Sequence, residues 1–184
     1  MKNQSARGIA YWGRWLAAIL CAPVICISNT GSTTQNLSAQ INPIGKLSVT
    51  AGIPLTTSAT TFIGFSGTLP VSYRVRTTPG GGGAITMQAT SDFAPAGGPS
   101  LSTGALPYTC GSASLGTSCS GAQTVSKTAQ TPVLTVPGGV CTGGGGACSA
   151  SDPNSVTVNF SLTNDPQFQT GAFAASLMFT IIAT

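Results

Sequence analysis

The period of the apolar residues is what most limits the folds open to this chain. Helical spacing is nearly absent, whereas alternation of period two recurs along the sequence. The clearest case lies near the C-terminus, where Val156, Val158, Phe160 and Leu162 alternate with Thr157, Asn159, Ser161 and Thr163. Successive side chains of a strand point to opposite faces, so this segment reads as a strand with one buried side. Further on, Phe173, Ala175, Leu177, Phe179 and Ile181 alternate with smaller or more polar residues. Between the two runs stand Asn164, Asp165 and Pro166. An Asx side chain bonds its own downstream backbone and proline presets φ, so a turn is expected there, with the two strands paired antiparallel.

The same pattern appears earlier. Leu47, Val49, Ala51, Ile53 and Leu55 fall on one side of an expected strand, and 62–65 reads as a short one. Leu69, Val71, Tyr73 and Val75 alternate with Ser72, Arg74 and Arg76, and after Pro79 and the glycines at 80–83 come Ile85, Met87 and Ala89. These two runs read as a hairpin with a glycine-rich connection. A phosphate-binding loop needs a following lysine and a helix N-terminus, but Ala84 and another strand follow here. In the segment 94–150, rich in Gly, Pro, Ser and Thr, only 124–136 looks strand-like, in two pieces broken near Pro132, so the segment reads mostly as loop. About seven or eight strands with turn signals between them give the expected class: an all-β, antiparallel two-sheet sandwich, immunoglobulin-like or jelly-roll-like.

The N-terminal stretch differs in kind. Lys2, Arg7 and Arg14 precede an apolar run at 15–27, and a polar stretch ending in Leu37, Ser38 and Ala39 follows. That is the order of a secretory signal peptide, expected at 1–39, which leaves 40–184 as one domain. Within that domain Lys46, Arg74, Arg76 and Lys127 stand against Asp92, Asp152 and Asp165, for a net charge of +1. Nucleic-acid binders draw affinity from clustered Lys and Arg neutralising phosphates, so four scattered cations exclude that class. No apolar run in 40–184 approaches the roughly 20 residues of a membrane-spanning helix, so no membrane span is expected there.

Two of the six cysteines, Cys21 and Cys26, lie in the apolar run of the expected signal peptide; an exported chain meets an oxidising compartment, where the remaining four, Cys110, Cys119, Cys141 and Cys148, favour two disulfides. Pairing Cys110 with Cys119 and Cys141 with Cys148 closes two short loops at the least entropic cost, while the nested pairing of Cys110 with Cys148 stays open. Structural zinc sites use closer cysteine pairs or add histidine, and this chain has no His. Asp152, Asn154 and Ser155 offer oxygens to calcium but lack the acidic loop of a defined site. No metal or cofactor is expected.

Catalysis is disfavoured on the same residue inventory. Without His or Glu, proton transfer falls to Asp, Lys, Tyr or a free Cys. Asp152 and Asp165 each precede a proline, where turn formation explains them. Ser126 and Lys127 are adjacent, so on a strand they point to opposite faces and form no dyad. The candidates left for recognition are Arg74 and Arg76, which share the exposed face of one strand and suit an acidic sugar or carboxylate, with Tyr73 and Tyr108 as further contacts.

The C-terminal run Thr170, Gly171, Ala172, Phe173 through Leu177, Phe179 and Ile181 resembles the last strand of bacterial secreted sandwich proteins, among them spore coat protein U and chaperone-usher fibre subunits. The resemblance covers roughly 30 residues and carries over no functional residue. It implies an extracellular structural or adhesive subunit, which strand exchange would polymerise. Cleavage near Ala39, however, leaves only 40–46 ahead of the first strand, which is short for a donor segment. The expected function is a non-catalytic secreted structural or surface protein, at the cell surface, outside the cell or in the periplasm. Its expected partners are itself, as a homo-oligomer or fibre, or envelope proteins or glycans. The alternative is an extracellular module that binds carbohydrate or another exported protein.

Overall fold

The computed structural model describes residues 35–57, 61–141 and 153–184. The chain divides into two compact units, Met1–Ala39 and Gln40–Thr184. Most of the first unit, and with it the expected signal peptide, lies outside the described residues.

The second unit is all-β. Its strands are β1 (Ile44–Val49), β2 (Phe65–Arg76), β3 (Gly83–Ala89), β4 (Pro107–Cys110), β5 (Thr117–Ser118), β6 (Gln123–Thr124), β7 (Thr131–Val136), β8 (Asn154–Leu162) and β9 (Leu177–Ala183). One sheet has the order β1-β2-β8-β4-β6 and the other β5-β7-β3-β9, with every pairing antiparallel. The expected two-sheet sandwich is therefore what forms, with more and shorter strands than the alternation alone suggests.

Burial follows the alternation. Leu69, Val71, Tyr73 and Val75 of β2 and Val156, Val158, Phe160 and Leu162 of β8 line the inner face of the first sheet. Ile85, Met87 and Ala89 of β3 and Val133, Leu134 and Val136 of β7 meet them from the second. Val133 and Leu134 are neighbours yet both are buried, because the β3–β7 register shifts there: Ile85 pairs with Leu134 and Thr86 with Pro132. The extra residue is a bulge, and it also accommodates Pro132, which has no N–H to give the ladder.

Several connections differ from the expected ones. β2 and β3 do not form a hairpin: β2 lies in the first sheet and β3 in the second, so the glycine-rich segment crosses the sandwich. Glycine is required within it, since a Cβ on Gly81 would lie 2.2 Å from the Thr184 carbonyl oxygen. β8 and β9 do not pair either; β8 sits between β2 and β4, while β9 pairs with β3 in the opposite sheet. The Asx turn forms as expected, with the Gln167 amide donating to the Asp165 carboxylate at 2.8 Å, but the connection around it spans 163–176 and is long enough to change sheets. The expected 62–65 strand is instead the start of β2 at Phe65, with Phe62 and Ile63 exposed. The expected 47–55 strand ends at Val49, ahead of a turn at Gly52, whose φ is +70°. Ordered strand also enters the segment read as loop: β4 pairs with β8 inside the first sheet.

Candidate functional site

Cys110 ends β4 in the first sheet, and Cys119 follows β5 in the second, where its amide donates to the Val133 carbonyl at 2.9 Å. The two are joined by a disulfide, so this bridge ties one sheet to the other. Cys141 is also disulfide-bonded. Cys148, its expected partner, lies outside the described residues, as does Asp152.

Tyr73 and Tyr108, expected as further contacts beside Arg74 and Arg76, are both buried in the core. Each is 1% exposed. Tyr73 alternates in phase with Leu69, Val71 and Val75, so the face that buries those residues buries its ring too. Its hydroxyl donates to the Leu115 carbonyl. The Tyr108 hydroxyl donates to the Pro132 carbonyl at 2.8 Å, crossing from β4 to β7, and its ring tilts against Phe160 with centroids 6.0 Å apart. Burial pushes both phenols above their ordinary pKa, so neither is a ready proton acceptor.

Arg74 and Arg76 lie on the outer face of β2, out of phase with its core residues. Register separates their roles. Arg76 donates from Nε and Nη2 to the Asn42 carbonyl at 3.1 and 2.6 Å, fastening the chain ahead of β1 to the end of β2. Arg74 stands directly opposite Lys46 of β1, and the next outward pair is Ser72 opposite Ser48. Lys46, Ser48, Ser72, Tyr73, Arg74 and Pro153 line a shallow cleft of ≈ 210 Å³. Two cations and two hydroxyls around one cleft suit an anionic group such as a carboxylate. Lys46 escaped the sequence reading because its place beside Arg74 depends on the β1–β2 register, which alternation does not reveal.

The Asp92 carboxylate is held by four hydrogen bonds. Its Oδ1 accepts the amides of Leu101 and Phe93, both at 2.8 Å, and its Oδ2 accepts the Ser100 hydroxyl at 2.9 Å and the Lys127 ammonium at 3.4 Å. The Leu101 amide foremost, with Phe93, Ser100 and Lys127, holds its carboxyl down at about 2. The carboxylate thereby anchors the 3-10 turn at Leu101–Thr103 and places Leu101 in the core. Ser126 forms no dyad with Lys127: its Oγ accepts the amides of Thr128 and Ala129 at 3.2 and 3.1 Å as a turn cap. Among the described residues, no three His, Cys, Asp or Glu side chains converge on a common point, and no helix is long and apolar enough to cross a membrane.

Comparison with protein-family models, with curated proteins and with solved structures found no match to this chain.

Proposed function

We propose that this chain is a non-catalytic exported protein with a structural or surface role. The observation that carries the reading is that, among the described residues, the cysteine pair Cys110 and Cys119, Asp92 and the buried tyrosines hold the fold together. Cys110 and Cys119 are locked between the sheets, Asp92 caps a turn, and both buried tyrosines are bonded to backbone carbonyls. Disulfides persist where the surroundings are oxidising, which suits a destination at the cell surface, outside the cell or in the periplasm. A surface of Ser, Thr and Gly over a stapled core suits a protein that must endure there.

The test is labelling of intact source cells with a membrane-impermeant amine reagent, followed by non-reducing electrophoresis. The expected result is a chain that is labelled on intact cells, found in the medium or released with the periplasmic fraction, and whose mobility changes on reduction. Recovery of an unlabelled, reduced chain from the cytosol would overturn the proposal.

A second reading, a binding module for acidic carbohydrate or an acidic exported protein, is favoured by the cleft between Lys46 and Arg74. Titration with uronic-acid oligosaccharides should then show saturable binding that Arg74→Gln weakens about tenfold, the loss expected for one charge-assisted hydrogen bond.

A further inference from the structure

Among the described residues, the sheet edges β1, β5, β6 and β9 are unequally protected against pairing with another chain. β5 and β6 are two residues each, and β1 carries Lys46. Short strands and charges are the usual means of blunting an edge. β9 has neither: Leu177, Met178, Phe179, Thr180, Ile181, Ile182 and Ala183 contain no charge and no proline.

Its hydrogen-bonding phase is defined by its neighbour. The Thr90 amide donates to the Ser176 carbonyl at 2.8 Å and the Thr184 amide to the Gly82 carbonyl at 2.8 Å, so the even-numbered residues turn their backbone toward β3. In an antiparallel ladder the direction alternates along the strand. Leu177, Phe179, Ile181 and Ala183 therefore aim their N–H and C=O groups away from β3, and among the described residues β3 is the one strand that pairs with β9. The outer face of β9 bears Met178 and Ile182, 46% and 49% exposed.

We infer that β9 pairs antiparallel with β9 of a second copy, about a twofold axis through Thr180. In that register the outward-aimed backbone groups of Leu177 meet those of Ala183, and those of Phe179 meet those of Ile181. The hydrogen-bonding phase is thus satisfied on both strands. Thr180 faces Thr180, and Met178 faces Ile182 on the outer surface, so apolar meets apolar with no charge opposed or desolvated. The same operation on β1 would bring Lys46 of each copy toward a like-charged edge. The outcome is one continuous sheet running through two sandwiches. This deepens the structural-subunit reading and rests on it for its purpose, but its test is independent of where the protein resides.

The experiment uses the full chain carrying Cys21→Ser and Cys26→Ser, with Thr180→Cys added. Thr180 is a non-hydrogen-bonded position of the proposed ladder, where opposed Cα atoms lie about 4.5 Å apart, within disulfide reach. Mild oxidation across a concentration series should yield a covalent dimer about tenfold more abundant than from Thr117→Cys on the β5 edge, since only specific pairing holds the thiols together. Without the added cysteine, Ile182→Lys should raise the dimer dissociation constant at least about tenfold, by setting a cation against the partner's apolar outer face, with an unchanged circular dichroism spectrum showing that the fold is intact. Equal cross-linking of the two cysteine variants, or a chain that sediments as a monomer at every concentration, would overturn the inference. So would a dimer indifferent to Ile182→Lys. Each of these results leaves the surface-labelling outcome untouched.

Discussion

At one margin of the sandwich β4 and β6 meet β5 and β7; at the other β1 meets β9. The first margin is closed three times over: by the Cys110–Cys119 disulfide, by the hydrogen bond from Tyr108 to Pro132, and by the buried side chains of Leu106, Val125 and Val133. At the second, Leu47, Val49, Leu177, Phe179 and Ile181 face inward but are only partly buried, and Gly45 lies against Ile181. The difference shows how one apolar alternation serves two ends. Where the strands are covered and cross-linked it makes a core; where a strand is left at an edge it makes a surface that takes another strand.

The widest separation between the margins should appear on truncating their aromatic residues. Tyr108→Ala removes a fully buried ring and an inter-sheet hydrogen bond and should cost about 3–5 kcal/mol in urea unfolding. Phe179→Ala removes a half-buried ring and should cost about 1–2 kcal/mol. Equal costs would erase the distinction. Next in size, replacing Cys110 and Cys119 together by alanine should cost about 2–3 kcal/mol, the loop-closure entropy of a short bridge. That loss should appear as faster amide exchange in β4 and β7, with β3 and β8 little changed. The smallest effect belongs to the Asp92 clamp, where Asp92→Asn should cost about 1 kcal/mol at neutral pH. The Asp92 carboxyl is held at about 2 in the fold against 3.8 in the ordinary case, so its stabilisation is present above the ordinary value and is lost as pH falls through the folded one. The gap between wild type and Asp92→Asn should therefore close between about pH 4 and pH 2, and a gap that stays constant through that range would dissociate Asp92 from the acid response.

Much of this was legible in the sequence, and the rest fails for identifiable reasons. Period-two alternation names the buried face of a strand, and it did so for Leu69 to Val75, Ile85 to Ala89 and Val156 to Leu162. It is silent on which strand lies alongside, so β2 with β3 and β8 with β9, adjacent in sequence, read as pairs although each spans the two sheets. β4 was hidden because it is only four residues long, with Tyr108 and Cys110 alternating after Leu106, and is set among Pro, Gly and Ser. The Cys110–Cys119 bridge was legible from local loop closure. Tyr73 shows both sides: its phase with Val71 and Val75 places it in the core, and its position next to Arg74 brings it to the lining of the Lys46 cleft. The Lys46 and Arg74 cleft and the hydrogen-bonding phase of β9 both depend on register, which only the assembled ladders define.

The most direct measurement is site-resolved amide hydrogen exchange on the full chain at low and high concentration. In dilute solution the amides of Leu177, Phe179, Ile181 and Ala183 should exchange rapidly while those of Met178, Thr180 and Ile182, bonded to β3, stay protected; at high concentration the first set should slow and the second should not change. An odd-numbered set protected at every dilution, or rapidly exchanging at every concentration, would contradict the open margin or its pairing with a second copy.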